Sequence, residues 1–265
     1  IFVDDNGSDN TKEVIESTSK NYPNINTKYI RHKERAGAAG ARITGYNNSS
    51  NDYVLYCDDD EFLELNYTDV CLQKLKLDNE IGIVSGRRIY RFFGEKNSEA
   101  VKRFGNGIDS KKPFNFQGFV YNNNAKYYGD IELPLTNAVI LTKRNLLIKY
   151  GYDSYYSNGN GYREESDFQA AVRTNGYKIL VTNDTHSIHL SLKEVKKGGQ
   201  RSNRIVQCYW NITYTNYFFD KYYNEYAKIL QLKGTKNEAK IKAALFQIYN
   251  IFFRPVKDLI LRGQR

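Results

Sequence analysis

Methionine is absent from all 265 residues, tryptophan occurs once, and cysteine only three times. Cys57, Cys71 and Cys208 are odd in number and widely spaced, which excludes a disulfide framework, and no CxxC pair offers zinc spacing. A reducing, cytoplasmic setting is therefore expected. No apolar run reaches the roughly 18 residues that a membrane-crossing helix requires, and a secretory leader is not expected. Without an initiating methionine the chain opens inside an apolar run, Ile1-Phe2-Val3, patterned like a strand already under way; the expectation is a chain cut from its N-terminus. Self-similarity at periods of roughly 20 to 50 residues is also lacking, which excludes solenoids and propellers.

What is present is 40% hydrophobic residues in a 30.8 kDa chain. That supports one large α/β domain or two small ones and excludes a disordered chain. The net charge of +9 is unevenly placed: residues 191–265 hold 15 Lys and Arg against 5 Asp and Glu, and residues 1–190 hold 24 against 25. A boundary near residue 190 follows, with a catalytic or binding domain over 1–190 and a basic, aromatic, mostly helical extension over 191–265. Such an extension suits nucleic acid, an anionic membrane face or an acidic partner, and charge alone does not choose.

Short β-branched runs alternate with helical stretches: strands at 1–3, 27–30 and 53–57, helices at 8–20 and 36–48. That alternation implies βαβ units and a mixed, mainly parallel sheet flanked by helices, with ligands at the carboxyl ends of its strands. Residues 94–130, rich in Gly, Asn and Tyr, have the pattern of a long loop over the sheet. A strand at 138–141, helices at 143–150 and 164–174, and a strand at 178–181 complete this part, with Gly176 placed for a left-handed helix cap.

Two acidic clusters fall at strand ends. Asp58-Asp59-Asp60-Glu61 follows an apolar strand, and so much negative charge is costly unless a cation neutralises it; Mg²⁺ or Mn²⁺ would suit these oxygens and bridge to phosphate, the alternative being a solvated acidic turn. Asp4-Asp5 would accept from a base N–H or cap the helix that follows. Arg42, in the small-residue run 36–42, can address a base or hold an Asp. Glu164, Glu165 and Asp167 open a helix, where the dipole favours acids and where a carboxylate can also serve as general base. His189 follows a strand and is a possible metal ligand.

In this order, the segments resemble glycosyltransferase family 2, the inverting enzymes with a GT-A, Rossmann-like fold. Val3-Asp4-Asp5-Asn6-Gly7-Ser8-Asp9 resembles the family's VDDGSxD turn, Gly37 to Arg42 its GxxxAR segment, and Asp58-Asp59-Asp60 its DxD metal motif. Residues 151–156 and 161–168 are similar to its GFDExF and GxGEExDF elements. Gly176-Tyr177-Lys178-Ile179-Leu180 with His189 is similar to its GYxIxxxPxxxxxH stretch, Asn183 replacing the proline. The family's first strand has no counterpart ahead of Ile1.

The resemblance implies that Asp4, Asp5 and Arg42 contact the nucleotide, with Asp58 and Asp59 beside the diphosphate. It also implies that Asp58, Asp60 and His189 hold Mn²⁺ or Mg²⁺, and that Glu165, flanked by Glu164 and Asp167, is the catalytic base. The implied reaction is inverting transfer from a nucleotide-diphosphate sugar, UDP-sugar favoured, to a hydroxyl of a saccharide or lipid-linked acceptor, with the basic extension either at the cytoplasmic membrane face or packed as an amphipathic helix on its own domain. A nucleotidyltransferase and an inactive sugar-nucleotide-binding module are the alternatives. Nucleic acid is not an expected partner, because residues 1–190 are neutral overall and acidic at nearly every candidate site.

Overall fold

The computed structural model describes residues 1–105, 108, 111–123, 125–191, 193–194 and 203–254. Lys196, Lys197, Arg201 and Pro255 of the basic extension lie outside the described residues. The chain opens as β1 (Phe2–Asp4), α1 (Thr11–Ser19), β2 (Tyr29–Arg31), α2 (Gly37–Asn47) and β3 (Tyr53–Leu55). β1 and β2 pair in parallel, with Val3 opposite Ile30. Next come β4 (Glu61–Leu63), α3 (Tyr67–Leu77), β5 (Ile81–Tyr90), α4 (Asn97–Phe104), β6 (Phe114–Asn115), β7 (Val120–Tyr121), β8 (Ile131–Glu132) and β9 (Leu141–Lys143). The chain continues through α5 (Arg144–Tyr150), a 3₁₀ turn (Ser154–Ser157), α6 (Glu164–Thr174), β10 (Lys178–His189), α7 (Arg204–Ile229), α8 (Lys236–Ile248) and a π-helical turn (Tyr249–Phe253).

The main sheet has the order β3-β9-β5-β10-β4, with β8 also on β10. It is mixed: β5 and β10 run parallel, and the other pairs are antiparallel. β5 is buried along nearly its whole length, as expected of a central strand covered on both faces. Gly82 makes room for that cover, since a Cβ there would stand 2.7 Å from Val172 of α6.

Residues 94–130, expected as a loop, contain α4 and the β6–β7 hairpin. α4 starts where the Lys96 amide donates to Glu99 Oε2 at 3.0 Å, and it buries Ala100 and Phe104 against Ile89 and Ile188. Only Ala100, Val101 and Phe104 anchor it, too weak a period to stand out among the surrounding Gly and Asn. α7 and α8 form an antiparallel pair whose Phe218, Phe219, Tyr226 and Ala243 share one core with Phe114, Phe119, Leu135 and Val181.

Candidate active site

β3 runs into Asp58-Asp59-Asp60, and two arginines meet it there. Arg42, carried by α2, donates from Nη2 to Asp58 Oδ1 at 2.8 Å and from Nε to Glu164 Oε1 at 3.0 Å. Arg88, carried by β5, donates to Asp58 Oδ2 at 3.3 Å and pairs with Glu61. Burial pushes the Asp58 carboxyl up, yet Arg42 and Arg88 outweigh it and hold the group below the usual carboxylate range. Burial likewise opposes the charge on Arg42, and Glu164 and Asp58 keep it protonated. Part of the cation demanded by the acid run is thus supplied by guanidinium groups.

Asp58 was expected on the metal with Asp60 and His189, but both of its oxygens are taken by arginine. The group whose ligand atoms lie within 4.8 Å of one another is instead Asp60, Glu61 and His189. Glu61 enters because β4 pairs with β10 so that Glu61 stands opposite His189. His189 Nδ1 lies 2.5 Å from the Leu190 carbonyl, which can only accept, so Nδ1 carries the proton. Nε2 is the nitrogen left to face a cation, 3.4 Å from Asp60 Oδ2. Two carboxylates and an imidazole oriented by a backbone carbonyl are a donor set that fits Mn²⁺ or Mg²⁺. Asp59 is exposed.

The three acids of α6 separate. Glu164 is buried, and burial pushes its carboxyl up to about 8 despite Arg42. Glu165 is only half-buried and carries no hydrogen bond or ion pair among the described residues, so its carboxylate can take a proton from a ligand. Asp167 is directed elsewhere: it accepts from Lys221 Nζ at 2.7 Å, Tyr156 Oη at 3.0 Å and Tyr222 Oη at 3.1 Å, which ties α6 to α7. It is not brought together with Glu165.

The β1 acids are held by backbone. Asp4 accepts from the Gly7 amide at 2.6 Å and from Tyr29, and the Tyr29 hydroxyl is the main reason that its carboxyl lies below the usual range. Asp5 accepts from the Ala36 and Gly37 amides at 2.7 and 2.9 Å and meets His32 Nδ1 at 2.8 Å, capping α2. Its side chain is 29% exposed against 8% for Asp4, so Asp5 is the more open of the two.

Sequence reasoning missed Arg88 and the part played by Glu61. The signal for Arg88 was Arg87-Arg88 inside the apolar run 81–90, since a charge in a buried strand requires a buried partner. Glu61 stood in the acid run, but its orientation depends on the register with β10.

Among solved structures the fold is similar to those of GT-A glycosyltransferases. A mannosyltransferase from Pyrobaculum calidifontis in complex with GDP-Man and Mn²⁺ matches at 15% identity with a TM-score of 0.52, covering 99% of this chain and 69% of that one. GalNAc-T7 with UDP, GalNAc and Mn²⁺ matches at 17% identity and 0.53, covering 91% and 46%. S. aureus TarS in complex with UDP-GlcNAc matches at 13% and 0.53, covering 94% and 71%. In sequence, a dolichyl-phosphate β-glucosyltransferase of Dictyostelium discoideum is 31% identical over 91 residues, 33% of this chain and 28% of that protein. The chain thus spans little more than a quarter of that relative. The model of glycosyl transferase family 2 matches residues 1–145, more than half of the chain, and the chain belongs to that family.

Proposed function

We propose that this chain transfers a sugar from a nucleotide-diphosphate sugar to an acceptor hydroxyl with inversion, the donor site lying at the carboxyl ends of β1 and β3. The observation that carries this is the junction made by Arg42. One guanidinium joins Asp58 of the acid run to Glu164 at the start of α6, which ties the segment carrying Asp60 and Glu61 to the helix start carrying Glu165. Glu165 takes the proton of the acceptor hydroxyl as the oxygen attacks the anomeric carbon. The sugar–phosphate bond breaks on the opposite face, and the nucleoside diphosphate leaves with its electron pair. A divalent cation held by Asp60, Glu61 and His189 would absorb the charge that builds on that leaving group. Asp5 and Arg42 stand at the nucleotide side, and Asp58 keeps Arg42 and Arg88 in place.

The complexes of the similar structures with UDP, UDP-GlcNAc and GDP-Man support a nucleotide-sugar donor, and UDP-sugar is favoured. The proposal extends to a saccharide or lipid-linked acceptor, with residues 1–190 as the catalytic unit. The basic extension would sit at the cytoplasmic face of a membrane; among the described residues no helix is long and apolar enough to cross one.

Calorimetric titration of the chain with UDP, GDP, dTDP and CMP, each with Mn²⁺ or EDTA, tests the donor site. One nucleotide is expected to bind in a metal-dependent way, with at least a tenfold loss in Asp60→Ala. Binding that is indifferent to EDTA and to Asp60→Ala would overturn the metal assignment, and the absence of any nucleotide binding would overturn the donor site.

A further inference from the structure

The start of α6 is reached through a conformationally demanding loop. Gly159, Gly161 and Arg163 have φ of +65°, +67° and +77°, and Arg163 is the one of the three that has a side chain to resist the left-handed region. Such a backbone persists only where its surroundings hold it. Here the surroundings are α7, α8 and the β6–β7 turn. Arg163 is 2% exposed and donates to the carbonyls of Phe119 and Gly118, each at 2.6 Å. The side chains of Asn160, Asn211, Gln247 and Tyr162 close a ring of hydrogen bonds with the Tyr162 amide. Asn160 Nδ2 donates to Asn211 Oδ1 at 2.8 Å, Asn211 Nδ2 to Gln247 Oε1 at 3.0 Å, and Gln247 Nε2 to Tyr162 Oη at 2.8 Å. The Tyr162 amide returns to Asn160 Oδ1 at 3.2 Å.

Asn211 and Gln247 are each 5% exposed and belong to the extension, while Asn160 and Tyr162 belong to the loop. A buried amide that loses its partner is penalised for its full desolvation, so the ring selects one placement of the loop over near alternatives. Two further contacts act at the same place. Tyr214 donates to the Asn158 carbonyl, and the indole of Trp210 lies so close to Gly159 that a Cβ there would run into it.

We propose that the α7–α8 pair positions the proton acceptor: Asn211 and Gln247 are positioning residues that act through the loop 158–163 on the helix start bearing Glu164 and Glu165. The inference rests on the function proposed above for Glu165, and it makes the extension part of the reaction's scaffold. Trp210 is the only tryptophan of the chain, so its emission reports the loop contact directly.

The test uses the whole chain and two variants that open the ring, Gln247→Leu in the extension and Tyr162→Phe in the loop. Trp210 emission, the affinity for the nucleotide with Mn²⁺, kcat and KM for sugar transfer or donor hydrolysis, and Tm are measured for each. The expected result is a shifted Trp210 emission and a tenfold or greater fall in kcat, with the nucleotide Kd and donor KM within twofold. An unchanged kcat beside a shifted emission would overturn the proposal. A parallel loss of kcat, affinity and Tm would also overturn it, because it would mark a merely structural role. If the parent chain binds no nucleotide, the functional reading fails separately, and amide exchange at 158–165 then decides: faster exchange in both variants supports the positioning, and unchanged exchange overturns it.

Discussion

Glu164 and Glu165 are neighbours at one helix start, yet their chemistry differs because the helix turns one inward and leaves the other at the surface of the site. Glu164 is buried against Arg42, and its carboxyl is pushed up to about 8 by that burial. In the folded chain it therefore binds a proton more tightly than in the unfolded chain. Its contribution to stability is largest below about pH 4.5 and declines as pH rises through the window from about 4.5 to about 8. Glu164→Gln removes that titration while keeping an oxygen for Arg42 Nε. The Tm of the variant relative to the parent is expected to climb between pH 5 and pH 8, a kcal/mol counting for roughly 2–4 °C in a chain of this size. A flat difference over that range would show that Glu164 stays ionised. Glu165→Gln should leave this window alone and instead lower kcat by roughly 10²- to 10⁴-fold with nucleotide affinity preserved, the range expected for loss of a general base; the same kinetic assay decides it.

Between elements, the most consequential contact is the one that removes Asp167 from the site. Lys221 of α7 bridges Asp153, before the 3₁₀ turn, and Asp167 of α6 at 2.9 and 2.7 Å. The Asp167 side chain is 4% exposed, and burial alone would push its carboxyl up, against the pull of Lys221. Lys221→Ala strands that charge with two tyrosine hydroxyls, so a loss of about 2–4 kcal/mol is expected in urea unfolding at pH 7. The deficit should shrink as pH falls, because burial raises the Asp167 carboxyl and it is neutralised earlier than an ordinary carboxylate. The same contact shows why part of the architecture was legible and part was not. α2, α6 and the parallel β1–β2 pair follow from local period, small residues and Gly176, and α6 falls on its expected bounds, Glu164–Thr174. The acid run and His189 were visible as residue types at a strand end. Which acid joins His189 depends on the β4–β10 register, and which acid of α6 turns away depends on a lysine 54 residues along the chain. Neither a strand register nor a distant partner leaves a periodic trace in a single sequence.

Across the whole molecule, the net positive charge belongs to the extension, and α8 there also exposes apolar side chains. α8 carries apolar side chains on its outer face as well as on its inner one. The stripe it buries holds Ala243 and Gln247, and the stripe it exposes holds Ile241 and Leu245, continued by Tyr249 and Phe253 in the following turn at 46% and 61% exposure. Steps of four residues keep these side chains on one side of the helix. The amide ring explains the inner face, since a glutamine is wanted there to meet Asn211 and Tyr162. The outer face has no counterpart demand from the fold, and apolar side chains in a segment whose sequence holds fifteen Lys and Arg over residues 191–265 have the composition of a surface helix on anionic lipid. Flotation with vesicles of mixed neutral and anionic phospholipid should recover the chain at low salt, and recovery should fall several-fold when the ionic strength is raised to about 0.5 M, because exposed charges are screened there. Ile241→Asp with Leu245→Asp should release it at all salt concentrations while leaving Tm nearly unchanged, both positions being solvent-facing. Equal recovery on purely neutral vesicles, or full recovery of the double variant, would place the driving force elsewhere and leave the outer stripe of α8 without a lipid role.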